Sequence, residues 1–260
     1  MDGPRGESTT GVHGRQGAKP GPLTTPIYQT STFILESAAD VDAIYEGRRE
    51  GDVYSRYSNP TLASAADRIA ALEGAPAGIV LASGMAAISS TVMAFVGAGG
   101  RIVTNEDLYG GTTRIFNELA ARWNVRVDKF PSADLDALRA QLRSPADLVY
   151  LESPTNPTLR LVDLKGAAEL ARAAGVVTVV DSTFASPINS KPHQDLGIDL
   201  VLHSATKYLG GHADITAGAV VGGKEQVKRV DLMARSLGGT CDPHAAFLLE
   251  RGIKTMALRV

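Results

Sequence analysis

Short apolar runs and amphipathic stretches alternate along most of this chain. From Pro60 to Glu73, Leu62, Ala66, Ile69 and Leu72 recur at spacings of three and four, which predicts a helix with one apolar face. A short apolar run, Ala77 to Ala82, comes next, and Met85 to Val96 predicts a second helix. The rhythm continues with strands at Arg101 to Thr104, Val125 to Phe130, Leu148 to Leu151, Val176 to Val180 and Asp199 to His203. Helices are expected at Gly111 to Trp123, Leu135 to Leu142 and Leu164 to Ala174. Strands that alternate with helices predict an α/β fold: a mostly parallel sheet sandwiched by helices. Val176 to Val180 is apolar almost throughout, as a strand covered on both faces should be. Met1 to Pro22 has no apolar period and is rich in Gly, Pro and charge, so a loose arm is expected there. Phe247 to Val260 predicts an amphipathic helix with no Gly or Pro exit signal, and the sequence is expected to continue beyond it.

Composition narrows the classes. The chain has 260 residues, 44% hydrophobic and 21% charged, enough for one large folded domain or two at most and far from a disordered composition. A formal net charge of -2 gives no basic field to draw in nucleic acid. No apolar run reaches the roughly 20 residues of a membrane span. Cys241 is the single cysteine, which excludes an internal disulfide and a Cys-based zinc site and fits a reducing, cytoplasmic compartment.

Several familiar patterns fail on inspection. Gly218 to Lys224 has phosphate-loop spacing, but Glu225 stands where Ser or Thr must hold magnesium, and the glycines flank an apolar run instead of opening a helix. Gly97 to Gly100 precedes a strand and reads as a tight turn. The histidines lack metal-ligand spacing, with His193 and His244 beside prolines as ordinary polar groups, and no GxSxG elbow is present.

In parallel sheets ligands bind outside the carboxyl ends of the strands, so the polar residues that end each apolar run carry the information. After Ile79 to Ala82 come Ser83, Gly84 and Met85, opening a helix whose free N–H groups make an anion site, although Ser83 could be only an N-cap. After Val176 to Val180 comes Asp181, a carboxylate that needs a cationic partner, a metal or a protonated heterocyclic nitrogen. After Leu200 to Leu202 come His203, Ser204, Ala205, Thr206 and Lys207: two hydroxyls suited to phosphate and a lysine amine. A lysine forms Schiff bases with carbonyls when burial and nearby positive charge lower its pKa. Anion site, strand-end Asp and strand-end Lys together point to pyridoxal 5'-phosphate.

The same segments resemble a known family. Tyr54-Ser55-Arg56, Ser58 to Thr61, Ser83 to Ala87, Leu108 to Thr112, Glu152 to Pro157, Asp181 to Phe184 and Ser204 to Lys207 occur in the order found in the Cys/Met-metabolism pyridoxal-phosphate enzymes, from about Thr24 to Val260. This family of trans-sulfuration enzymes comprises cystathionine γ-synthase, the cystathionine lyases, methionine γ-lyase and the homoserine sulfhydrylases. The resemblance implies the large domain of the aspartate aminotransferase-like fold. It implies that Lys207 carries pyridoxal 5'-phosphate as a covalent aldimine and moves protons, with Tyr109 as stacking and acid–base group. It further implies that Asp181 meets the pyridine nitrogen, that Gly84, Met85, Ser204 and Thr206 hold the phosphate, and that Asn156 lies near the ring hydroxyl. Tyr54 and Arg56 would reach the phosphate of a neighbouring subunit, which implies a dimer with shared sites and a homotetramer.

The implied organisation is an arm and clamp at 1–58, a cofactor-binding domain at 59–240, and at 241–260 the start of a helix leading to a smaller C-terminal domain absent from this sequence. Ser182 departs from the family's usual asparagine, and the arginine that binds the substrate carboxylate belongs to the absent domain. The implied reaction is γ-elimination or γ-replacement on a sulfur amino acid or activated homoserine, of the cystathionine γ-synthase/γ-lyase type. Gly111 favours that group, whereas Gly210 to Gly218 resembles methionine γ-lyase. Methionine γ-lyase, O-acetylhomoserine sulfhydrylase and a catalytically impaired cofactor-binding fold are the alternatives.

Overall fold

The computed structural model describes residues 6–14 and 21–260. In chain order the elements are α1 Glu7–His13, α2 Ala38–Tyr45, α3 Pro60–Leu72, β1 Ala77–Leu81, α4 Gly84–Phe95, β2 Arg101–Asn105, α5 Gly110–Trp123, β3 Arg126–Phe130, α6 Leu135–Gln141, β4 Leu148–Glu152, α7 Leu164–Ala173, β5 Val177–Asp181, α8 Ser186–Asn189, α9 Pro192–Leu196, β6 Leu200–His203, β7 Gly218–Gly222, α10 Lys224–Leu237, α11 Pro243–Ile253 and α12 Met256–Arg259. Each strand and helix expected between residues 60 and 203 is present. Local chemistry sets the helix starts. Asn59, Ser83, Asp134, Asp163 and Asp242 each accept a backbone N–H of the first turn they precede.

The strands form one sheet in the order β1-β7-β6-β5-β4-β2-β3. Every pairing is parallel except those of β7, which runs antiparallel to both β1 and β6. Side chains alternate between two cores. Val149, Leu151, Val180 and Val201 pack beneath α3, α7 and α11, while Leu148, Tyr150, Val179 and Leu202 pack beneath α4, α5 and α10. The expected sandwich is thus a helix–sheet–helix stack. Among the described residues no helix is long and apolar enough to cross a membrane.

Three expectations are corrected. The arm expected to be loose contains α1, which packs on α3 and α12. A Cβ at Gly11 would lie 3.1 Å from the Ile253 carbonyl oxygen, so the helix approaches closely because that residue is small. The remainder of the expected arm, residues 1–5 and 15–20, lies outside the described residues. The single helix expected from Phe247 to Val260 is two helices, α11 and α12, broken at Lys254 and Thr255. The Gly252 carbonyl accepts the Thr255 N–H at 3.3 Å and Arg259 Nη2 at 2.7 Å, which tightens the turn and ends α11. Finally, Gly223 does open a helix, as the N-cap of α10.

The phosphate-loop reading still fails, now for a topological reason: β7 is antiparallel, so Gly223 and Lys224 lie at the sheet edge opposite the carboxyl ends of the other strands. The glycines of β7 serve packing. A Cβ would meet Ser83 O at 2.1 Å from Gly218 and Asp199 O at 2.2 Å from Gly222. The turn expected at Gly97 to Gly100 is present, with the Gly100 N–H on the Gly97 carbonyl at 3.0 Å.

Candidate active site

The carboxyl ends of β4, β5 and β6 and the amino end of α4 enclose a cavity of about 260 Å³. Ser83, Gly84, Met85, Tyr109, Asn156, Asp181, Ser204, Thr206 and Lys207 all line it. The structure therefore brings together residues spread over 125 positions, from Ser83 to Lys207.

The α4 end supplies a wall of helix-start amides. Ser83 is an N-cap, its Oγ accepting the Ala86 N–H at 3.1 Å, which leaves the Gly84 and Met85 amides as first-turn donors without an intrahelical partner. A Cβ at Gly84 would stand 2.8 Å from Ser204 Cβ, so only glycine lets this helix start meet the loop after β6. That loop follows a short strand. The Thr206 hydroxyl donates to the Ala217 carbonyl at 3.2 Å and accepts the Ala217 N–H at 3.0 Å, so its proton is already engaged. Lys207 lines the cavity but is exposed, not buried as expected, in the turn that follows β6 (Lys207 N–H on Ser204 O, 3.0 Å). Among the described residues Lys207 forms no ion pair.

Asp181 ends β5 and is only 7% exposed. Burial pushes its carboxyl above the ordinary range, opposed by two hydrogen bonds from Thr183 and by the positive field of His203. Thr183 N–H and Oγ1–H both donate to Asp181 Oδ1, at 3.0 and 2.6 Å. Among the described residues no Lys or Arg pairs with Asp181, and no three His, Cys, Asp or Glu side chains cluster as metal ligands. Asp181 is thus a buried carboxylate that lines the cavity.

Two site residues were not singled out from the sequence. Thr183 fixes Asp181 and also accepts the Ser204 N–H at 2.8 Å, tying β5 to β6. Glu152 ends β4, 4% exposed, and lines the cavity. Burial pushes its carboxyl up to about 7, against the pull of the Tyr109 and Asn156 amides and with the push of Asp181 and Asp107. The rule that strand-end polar residues matter would have found Glu152. Ser182 turns away from the cavity, buried with its Oγ unpartnered among the described residues. On the other face of β6, His203 Nε2 lies 2.7 Å from Glu73 Oε1, both side chains fully buried.

Tyr109 is 44% exposed at the start of α5, and Gly111 faces the same wall: a Cβ there would stand 2.4 Å from the Tyr109 ring and 2.8 Å from Met85 Sδ. Tyr54 and Arg56 lie elsewhere in the chain. The Arg56 guanidinium sits 4.6 Å from the Tyr57 ring centre and 5.5 Å from that of Tyr54, and Nη1 donates to the Arg235 carbonyl at 2.7 Å. Arg56 lines a separate cavity of about 210 Å³ against β1 and α10.

The lining fits a phosphorylated pyridine aldehyde. Gly84 leaves a cradle that a Cβ would fill, Asp181 is a buried carboxylate with no Lys or Arg partner among the described residues, and the Lys207 amine lines the same cavity. Known proteins agree. The chain is 43% identical over 242 residues to an L-methionine gamma-lyase of Pseudomonas putida, covering 92% of this chain and 61% of that protein. It is 40% identical over 239 residues to the chloroplastic cystathionine gamma-synthase 1 of Arabidopsis thaliana, covering 92% of this chain and 42% of that one. The crystal structure of metB from Corynebacterium glutamicum superposes with a TM-score of 0.90 at 34% identity, covering 98% of this chain and 65% of that one. The chain thus spans between two fifths and two thirds of the length of these relatives. The sequence profile for Cys/Met metabolism PLP-dependent enzymes matches residues 8–260, and with a cavity lined as that cofactor requires, the chain belongs to this family.

Proposed function

We propose that this chain carries the cofactor-binding part of an enzyme that performs γ-elimination or γ-replacement on a sulfur amino acid or activated homoserine, of the cystathionine γ-synthase/γ-lyase type. The carrying observation is the convergence of Asp181, Lys207 and the α4 amino end on one cavity. Its relatives include a lyase and a synthase, so either outcome of the reaction is compatible with this cavity.

Pyridoxal 5'-phosphate, when bound, supplies an electron sink conjugated to the substrate's α-carbon. The Gly84 and Met85 amides and the Ser204 hydroxyl would hold its phosphate, with Thr206 joining once its hydroxyl turns from Ala217. Lys207 would hold it through its amine, and once the substrate's amino group takes that amine's place the freed Nζ would accept the proton from the substrate's Cα. Asp181, kept in place by Thr183, would hold a proton on the ring nitrogen: the new cation relieves the burial that raises this carboxyl. The Tyr109 phenol on the cavity wall would be a second proton carrier, and Asn156 would meet the ring hydroxyl. We further propose that Tyr54 and Arg56 serve the cavity of a second copy, in a homodimer or homotetramer of the cytoplasm. The corresponding division of the chain is an arm at 1–58, the cofactor domain at 59–240 and a connecting segment at 241–260.

The test adds pyridoxal 5'-phosphate to the purified chain and to Lys207→Ala. A visible absorbance band in the first and none in the second is expected, and no band in either overturns the assignment. Release of ammonia and a 2-oxo acid from cystathionine, methionine or O-acyl homoserine then tests turnover. Cofactor bound with every substrate untouched would replace the enzyme reading with a cofactor-binding fold that lacks catalysis.

A further inference from the structure

Glu152 has no part in the reaction as proposed, yet it is one of the most buried charged groups of the cavity. It stands beside Asp181 in the parallel register of β4 and β5. Its two oxygens serve two different segments: Oε2 accepts the Tyr109 N–H and Oε1 the Asn156 N–H, each at 2.7 Å. These segments, the start of α5 and the loop after β4, form two walls of the cavity. Tyr109 makes no side-chain cap for α5, so Glu152 supplies from outside the carboxylate that this helix start lacks. The strut is itself fixed: Asn105 Oδ1 accepts the Glu152 N–H at 3.0 Å and Asn105 Nδ2 donates to the Glu152 carbonyl at 3.3 Å. A carboxylate buried only for stability would have a cation, and among the described residues Glu152 has none.

We infer that Glu152 is a positioning residue, its carboxylate spanning Tyr109 and Asn156 so that both walls stand at the separation the bound cofactor needs. This rests on reading the cavity as the pyridoxal 5'-phosphate site. The groups facing it are Asp181 from β5, Asp107 from the loop before α5 (itself paired with Arg160), Tyr150 from β4, and Tyr109 and Lys207 around the cavity. With its carboxyl near 7, Glu152 gains a proton as pH falls through neutrality. One oxygen then becomes a donor facing an N–H, and the strut opens.

The test is a titration of the full chain and of Glu152→Gln with pyridoxal 5'-phosphate between about pH 6 and about pH 8.5, a range that brackets the raised carboxyl. The amide mimics the protonated acid. At the upper pH the variant should bind about tenfold more weakly. At the lower pH, where the native carboxyl is protonated too, the gap should close to within about twofold. Equal affinity at the upper pH overturns the inference, as does a gap that ignores pH, which a purely structural defect would give. Failure of the native chain to bind at all would overturn the cavity reading and this inference with it, whereas native binding matched by the variant overturns this inference alone. If Glu152→Gln does not fold, Glu152→Asp is read instead: its charge survives but is one methylene too short to span both amides. Binding at least about fivefold weaker is expected at the upper pH, and native affinity overturns the inference.

Discussion

At the amino ends of the parallel strands, Arg101 is 8% exposed, and each of its side-chain nitrogens has an acceptor. Nε pairs with Asp128 at 2.6 Å, while Nη1 and Nη2 donate to the carbonyls of Ser144, Pro145 and Gln141 and to the Gln141 side chain. At the carboxyl ends, Asp181 and Glu152 are as deeply buried, yet among the described residues neither pairs with a Lys or Arg. The carboxyl groups respond in opposite directions. Burial works to raise Asp128, but the hydrogen bonds and charges of Arg101 and Arg126 outweigh it and hold Asp128 below its ordinary range. Burial wins at Asp181 and Glu152. One end of the sheet has completed its electrostatics within the chain. The other leaves carboxylates that a cationic ligand would complete, and that is where a binding site belongs.

Substitutions at the two ends should separate stability from binding. The largest effect is expected for Arg101→Ala, which strips Asp128 and several carbonyls of their buried donor and should cost about 3 kcal/mol in urea unfolding. Affinity for pyridoxal 5'-phosphate should stay within about twofold, since the sites are far apart and independent; a parallel loss of affinity would erase the distinction between the two ends.

Asp181→Asn should do the reverse, weakening cofactor binding by about thirtyfold or more. The folded-state pKa of Asp181 is raised, so the native chain loses stability as pH rises from the unfolded value through the folded one. The asparagine variant escapes that loss, and without cofactor it should unfold at the same or a higher temperature than the native chain at about pH 8. A marked drop would show that Asp181 supports the fold. The smallest effect is expected for Arg126→Ala, whose side chain is 67% exposed beside Asp128: below about 1 kcal/mol, read in the same urea experiment. A loss near that of Arg101→Ala would mean that exposure does not grade these pairs.

Much of this was legible in the sequence because the periods are strong. Val149, Tyr150 and Leu151 lie in an unbroken apolar run, and Asn59, Ser83 and Asp163 cap helices with their own side chains. The strand-end rule points to Asp181, Ser204 and Lys207, and all three line one cavity. Other features give weaker signals. Residues 218–222 form a strand only because Gly218 and Gly222 let backbone approach backbone, and α10 buries a narrow stripe of Val227, Val230 and Ala234 within a mostly charged sequence. α1 is held by contacts with α3 and α12, which no local period reports. Glu152 and Thr183 act through partners 43 and 21 residues away, Tyr109 and Ser204.

The sequence by itself determined the alternation of strands and helices, the caps, and the kinds of side chain that end each strand, because these follow from period and local hydrogen bonding. Only the tertiary structure decided the strand order, the reversal of β7, the exposure of Lys207, the placement of Arg56 away from the cavity of its own chain, and, among the described residues, the lack of a Lys or Arg partner for Asp181 and Glu152. Each of these depends on which distant segments come together, and the cost of a buried charge is set by what lies around it in space.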